Sequence, residues 1–243
     1  MSGIFPKTIL VIGASRGIGF EWARQYSKEP KVENLLLTCR KKNEQLIDLA
    51  NSNSNVKIIE NIEVGDNESI EILEKAVEKL ASIDLVVHNS GIIRRHWLGS
   101  FTFDEIQEQF NVNSLGPLRV IRAILPRLLN SQNSTQNSSK IAIISSDLGS
   151  IEHAETIYPG YYGYKMSKAA VNMMGKTLAF DLKEKNVLVA LFHPGFVSTD
   201  MTSYKGDITT EESVSGCRKI VEEELNVENS GSFWSWDGRI LPW

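Results

Sequence analysis

Six short apolar runs with little polar alternation, and a seventh, less regular one, limit what this chain can fold into. They are Lys7 to Gly13, Glu33 to Arg40, Val56 to Ile62, Ile83 to Ser90, Lys140 to Ser146 and Val187 to Gly195, then Gly231 to Trp236. Runs that do not alternate belong to strands covered on both faces. Helical patterns lie between them. Ile18, Trp22 and Tyr26 recur at four-residue spacing, and Ile70, Leu73, Val77 and Leu80 form one stripe behind an acidic first turn. A long helical pattern from Asp104 to Leu129 is interrupted near Gly116-Pro117 or accommodates it, and another runs from Tyr164 to Lys185. Strand-helix alternation of this kind predicts an α/β fold, a parallel sheet with helices on both faces. With 243 residues, 42% of them hydrophobic, the chain suits one domain spanning 1–243.

The polar stretch 130–139, rich in Asn and Ser, has no periodicity and reads as a flexible surface loop. A formal net charge of -4 argues against a nucleic-acid surface. The two cysteines, Cys39 and Cys217, form no CxxC pair and no metal cluster with the four histidines. A reducing, cytoplasmic setting and no metal are therefore expected. No apolar segment approaches the roughly 20 residues that cross a bilayer. The N-terminal apolar run reads as a first strand rather than a signal peptide.

The stretch Gly13, Ala14, Ser15, Arg16, Gly17, Ile18, Gly19 follows a strand and opens a helix. Glycines there permit a tight turn and close approach of backbone to a pyrophosphate, beside free helix N–H groups. The spacing is G-x-x-x-G-x-G, not G-x-G-x-x-G, and an ordinary tight turn would read the same way. The end of the second strand adds information. A carboxylate that would bind a ribose 2′-hydroxyl roughly 20 positions on is missing. Thr38, Cys39, Arg40, Lys41 and Lys42 stand there instead. Arg40 can grip a 2′-phosphate with a two-pronged fork, with Arg16 approaching the same group, so NADP(H) is expected over NAD(H).

The stretch Tyr158 to Lys168 holds four of the six tyrosines and two Tyr-x-x-x-Lys pairs, Tyr161 with Lys165 and Tyr164 with Lys168. A free phenol, with a pKa of about 10, is a poor proton donor near neutrality. A lysine one helical turn away lowers that value. The first pair would put Gly163 inside its turn, at a cost of about 1 kcal/mol relative to alanine. It would also start a helix amid turn-forming residues. The second pair encloses only helix-compatible residues, so helical geometry favours Tyr164 and Lys168.

Taken together, Gly13–Gly19, His88–Gly91, Asn111–Gly116, Ser145–Ser150, Tyr164–Lys168 and His193–Met201 resemble the short-chain dehydrogenase/reductase family, in that family's chain order and over essentially the whole chain. The segments Tyr161–Met174 and Gly231–Trp243 look like its C-factor and sniffer-like carbonyl reductase branch. The resemblance implies a single-domain Rossmann fold with a seven-stranded parallel sheet and an NADP(H)-dependent carbonyl reductase. Tyr164 is implied as proton donor, Lys168 as the residue that lowers its pKa, Ser146 as the carbonyl-orienting hydroxyl and Asn113 as holder of a relay water. Implied cofactor contacts are Gly13, Ser15, Arg16, Gly17, Ile18, Gly19, Arg40, Glu63, Val64, Asn89, Ser90, Gly91, Tyr164, Lys168, Pro194, Gly195, Val197 and Thr199. Ile12 stands where the family has threonine. His88 and Ser90 replace Asn and Ala of an N-N-A-G turn, and Glu63 replaces an aspartate.

The expected partner is a small-molecule carbonyl compound, in a homodimer or homotetramer, with no nucleic acid and no membrane. A non-catalytic NADPH-binding signalling protein is the alternative. Residues 94–101, 149–162 and 199–213 are the pocket segments, the last a candidate substrate lid. His153, Trp97 and Tyr204 are candidate substrate contacts that loop packing would explain equally. The aromatic tail residues Trp234, Trp236 and Trp243 are expected in the core or at a subunit interface.

Overall fold

The computed structural model describes residues 5–130, 138–155 and 158–243. All seven apolar runs are strands: β1 (Thr8–Ile12), β2 (Asn34–Thr38), β3 (Val56–Ile59), β4 (Leu85–His88), β5 (Ser139–Ile144), β6 (Val187–His193) and β7 (Ser232–Ser235). They form one parallel sheet in the order β3-β2-β1-β4-β5-β6-β7. Neighbours along each strand point to opposite faces, and both faces are covered. Ile9, Val11, Leu35 and Leu37 pack on one side with Trp22 and Tyr26. Leu10, Ile12, Leu36 and Val86 pack on the other with Leu73, Ile124 and Val171. The absence of polar alternation in the strands is the sequence record of this double cover.

The helices are α1 (Gly17–Ser27), α2 (Glu44–Ser52), α3 (Asn67–Val77), α4 (Phe103–Phe110), α5 (Gly116–Asn130), α6 (Tyr162–Asp181) and α7 (Thr210–Lys219). Asp66 caps α3 by accepting from the Ser69 N–H at 2.9 Å, and Thr102 with Glu105 and Thr209 with Glu212 form capping boxes on α4 and α7. Sequence patterning does not single out α2. Only Leu46 of that helix is fully buried, so its apolar stripe is thin, and its start depends on the Asn43 cap.

The long helix is interrupted near Gly116-Pro117, as expected. Asn111–Leu115 form a π-helical stretch between α4 and α5. Pro117 has no N–H to give to the Asn113 carbonyl four residues earlier, which favours the local widening. The 130–139 loop needs correction at its ends: Asn130 closes α5 and Ser139 opens β5. Residues 131–137 lie outside the described residues.

The sheet order reverses between β1 and β4, which leaves a crevice at the carboxyl ends of those strands. The C-terminal segment folds back beside the β7 edge. Trp234 is buried, Trp236 packs against the same core, and Trp243 stacks on Phe233 with ring centroids 5.6 Å apart. Gly216 of α7 lies against this segment, and a Cβ there would sit 2.0 Å from the Trp236 carbonyl oxygen. Gly216→Ala therefore destabilises the fold by about 2 kcal/mol despite alanine's better helix propensity. The midpoint of urea unfolding reads this loss directly. An unchanged or raised midpoint would show that the tail moves aside freely.

Candidate active site

The glycine turn follows β1 because two neighbouring strands hold it. The Gly13 N–H donates to the Thr38 hydroxyl of β2 at 3.1 Å, and the Asn89 amide after β4 donates to the Gly13 carbonyl at 3.1 Å. Ile12, at the end of β1, has no hydroxyl to offer, and the Thr38 hydroxyl meets the turn. Gly13 and Gly17 have φ of +79° and +55°, where a side chain would be strained. A Cβ on Gly19 would sit 2.1 Å from the Gly13 carbonyl oxygen. The first turn of α1 carries no acidic residue, so its N–H groups present an uncompensated positive end.

These features open onto a cleft of about 1050 Å³ that Gly13, Ser15, Arg16, Gly17 and Ile18 help to line. Arg40, Glu63, Val64, Asn89, Ser90 and Gly91 continue the wall, and Tyr164, Lys168, Pro194 and Thr199 complete it. Gly195 and Val197 shape the cleft from behind. Gly195 has φ of +86° and lies against Trp236 and Ile208, and Val197 pairs with Ile208 in a parallel bridge.

Arg40 faces Glu63 at 3.5 Å and Arg16 faces Asp200 at 3.2 Å. One expectation for this cleft needs correction: the candidate lid is shorter than 199–213. The Ser198 N–H donates to the Ile208 carbonyl at 2.9 Å, which closes the loop at its base, and residues 210–213 belong to α7. Within the loop, Tyr204 lines the cleft and hydrogen-bonds Asp200. Trp97 and His153 do not line the cleft.

The tyrosine pairs separate clearly. Tyr161 precedes α6 with φ of +57°, and only Tyr164 and Lys168 face the cleft, on the buried side of the helix. Lys168 donates to the Ile144 carbonyl at 2.8 Å, and its ammonium lies 5.7 Å from the centre of the Tyr164 ring. Burial pushes the lysine down to about 8. Burial pushes the phenol up to about 12; a hydrogen bond with Ser146 pulls against this and the Asp147 charge adds to it. Ser146 starts a single tight turn after β5, where its hydroxyl accepts from the Leu148 N–H at 3.2 Å.

Asn113 sits in the π stretch with its amide fully used. Its Oδ1 accepts from the Ile92 N–H at 2.8 Å, and its Nδ2 donates to the Ile92 carbonyl at 2.9 Å and to the Ser167 hydroxyl at 3.0 Å. Gly91 passes so close that an added Cβ would lie 3.3 Å from Asn113 Oδ1 and 3.7 Å from Lys168 Nζ.

Three further residues lie around the site, and of these only Gln109 falls outside the motif segments. Gln109, fully buried, accepts from the Arg94 N–H at 2.8 Å. His193 accepts from the Asp147 N–H at 3.1 Å. His88 is buried beside the lysine, and burial first, then the Lys168 charge, pushes it down to about 3, so it is neutral. The position of His193 beside Pro194-Gly195 is its one available signal. Among the described residues no group of three or more His, Cys, Asp or Glu could hold a metal, and no helix is long and apolar enough to cross a membrane.

Residues 7–209 match the model of the short chain dehydrogenase family. The chain belongs to that family. It is 35% identical over 243 residues to the 1-hydroxy-2-glutathionyl-2-methyl-3-butene dehydrogenase of Rhodococcus sp. (strain AD45), covering 98% of this chain and 100% of that protein. It is 34% identical to C-signal of Myxococcus xanthus, over 66% of this chain and 93% of that one. The NADPH bound carbonyl reductase from chicken fatty liver superposes with a TM-score of 0.92 at 30% identity, covering 99% and 100% of the two chains. The carbonyl reductase Sniffer of D. melanogaster follows at 0.91 and 26%, covering 98% and 100%.

The buried ammonium of Lys168 has a stability consequence. Its folded pKa of about 8 lies below the unfolded value of 10.5. The unfolded chain thus holds more protons between these two values, and stability rises with pH across that window. Lys168→Met in the cofactor-free protein is therefore more stable than wild type below pH 8, and the gap closes between pH 8 and 10.5. Urea unfolding of both proteins across that range checks the sign. A variant less stable than wild type at pH 7 contradicts it.

Proposed function

We propose that this family member is an NADPH-dependent reductase of aldehydes, ketones or quinone-like compounds, with Tyr164 as the proton donor. The observation that carries the reading is the buried pair Tyr164 and Lys168 on one face of α6, beside Ser146 and at the cleft wall. The turn fits a dinucleotide pyrophosphate: its glycines stand where side chains would clash or be strained, and the first turn of α1 is free of acids. Arg40, with no carboxylate after β2 to accept a ribose hydroxyl, suits a 2′-phosphate that would displace Glu63 from it. The chicken carbonyl reductase, which binds NADPH, supports the same choice.

When bound, the cofactor supplies hydride to the carbonyl carbon. The chain's own residues handle the oxygen and the proton. Ser146 and Tyr164 donate hydrogen bonds to the substrate oxygen, and the phenol gives up its proton as negative charge develops there. A phenol at about 12 is too weak an acid for this near neutrality. Lys168 favours the phenolate by placing a positive charge beside it. The Asn113 carbonyl, which Pro117 cannot bond, accepts a water that passes a proton back through Lys168.

The Rhodococcus relative is named for an alcohol that carries a glutathionyl group. A cleft of about 1050 Å³ has room for a substituent of that size beside the cofactor. The loop 199–208 serves as the substrate lid. A homodimer or homotetramer fits the apolar side chains exposed on α5 and α6, including Leu118, Met173 and Phe180. A cytoplasmic setting fits the two buried free thiols, Cys39 and Cys217.

The likeness to C-signal favours a second reading, an NADPH-binding signalling protein that does not turn over. Tyr164→Phe separates the two. NADPH oxidation against a panel of aldehydes, ketones, quinones and dicarbonyls falls by about 100-fold or more in the variant while NADPH affinity is kept. Equal turnover by variant and wild type would remove the proton-donor role.

A further inference from the structure

Four arginines line the cleft, Arg16, Arg40, Arg94 and Arg95. Three already face carboxylates. Arg16 meets Asp200 at 3.2 Å, Arg40 meets Glu63 at 3.5 Å, and Arg94 grips Glu108 with its fork at 3.0 to 3.1 Å. Arg95 has no ion-pair or hydrogen-bond partner among the described residues. The cleft itself cannot provide one. Its three lining carboxylates, Glu21, Glu63 and Asp200, each face another arginine, namely Arg24, Arg40 and Arg16.

The placement of Arg95 is rigid although its side chain is free. Asn113 clamps Ile92 at both backbone groups, Gln109 holds the Arg94 N–H at 2.8 Å, and the His96 carbonyl accepts from the Tyr161 N–H at 2.8 Å. The same segment begins at Gly91, next to Lys168. Four residues of chain span at most about 14 Å, so Arg95 stands within the length of a small substrate from the reacting centre. Of the lid residues that line the same cleft, Asp200 is the one acid, and it faces Arg16 and Tyr204.

We propose that Arg95 is a substrate-binding residue that takes a carboxylate, and that the substrates are carbonyl compounds bearing a carboxylate a few atoms from the C=O group. A guanidinium fork matches a carboxylate with two parallel hydrogen bonds. The proposal rests on the carbonyl reductase reading for its chemistry and on the unpaired cation for its specificity.

The test compares benzaldehyde with 4-carboxybenzaldehyde, using NADPH and the full chain. The expected result is a ratio of kcat/KM, charged over neutral, that falls about tenfold in Arg95→Met, mainly through KM. Arg95→Lys restores part of it, and added salt lowers the wild-type ratio. An unchanged ratio in Arg95→Met overturns the proposal. So does a loss of NADPH affinity with no change in the ratio, which would give Arg95 to the cofactor.

Calorimetric titration of the NADP+ complex with 4-carboxybenzyl alcohol and benzyl alcohol reads the subsite without turnover. Preference for the carboxylate, lost in Arg95→Met, supports the subsite even if neither aldehyde is reduced, a result that would count against the reductase reading alone. Equal binding of both alcohols overturns the subsite.

Discussion

One buried amide organises the reacting end of this molecule. Asn113 bonds both backbone groups of Ile92 and the Ser167 hydroxyl, and so ties the exit of β4 to α6. Ser167 is the neighbour of Lys168, and Ile92 the neighbour of Gly91, so the clamp sets the distance between the cleft floor and the lysine. Such an amide is costly to leave unsatisfied in a dry interior, and here its donors and acceptor are all engaged. The π stretch makes the reach possible. It turns Asn113 inward between two helices that otherwise keep regular spacing, and Pro117 removes the bond that would oppose it.

Burial then sets the electrostatic problem that the site must solve. It pushes the Tyr164 phenol up and the Lys168 ammonium down, so both groups are drawn toward their neutral forms. Neutral His88 adds no competing charge beneath the lysine. A nearby positive charge arriving with a bound oxidised cofactor would pull the phenol back down. The fold therefore holds a lysine charge at some cost to stability, as the proposed chemistry would require. The arginines follow the opposite logic. They lie on the open wall of the cleft, and three of the four are satisfied by carboxylates, which leaves a single unpaired cation among the described arginines of the cleft.

The sheet was legible because strands covered on both faces leave apolar runs with little polar alternation, and all seven runs became strands. Tyr164 could be preferred over Tyr161 on helix-starting grounds, since Gly160 and Gly163 surround the latter. Other features are not written locally. Helix α2 buries only Leu46 fully and so shows little stripe. Arg16 and Asp200 are 184 positions apart, and nothing in the glycine turn indicates that its arginine will cross the cleft. Gln109 and His193 act through backbone groups brought near by the fold, and a hydrogen bond to a distant N–H leaves no spacing to read. Ile12 shows the same limit from the other side: the hydroxyl that meets the turn comes from Thr38, on the neighbouring strand.

The proposed reaction depends on Tyr164 becoming an effective acid beside Lys168 when NADP+ is bound. The most direct test is an ultraviolet difference titration of phenolate, wild type minus Tyr164→Phe, with and without NADP+. The expected Tyr164 pKa is near 12 in the free protein and falls toward neutrality in the complex. A phenol that stays near 12 with NADP+ bound would contradict the proton-donor role.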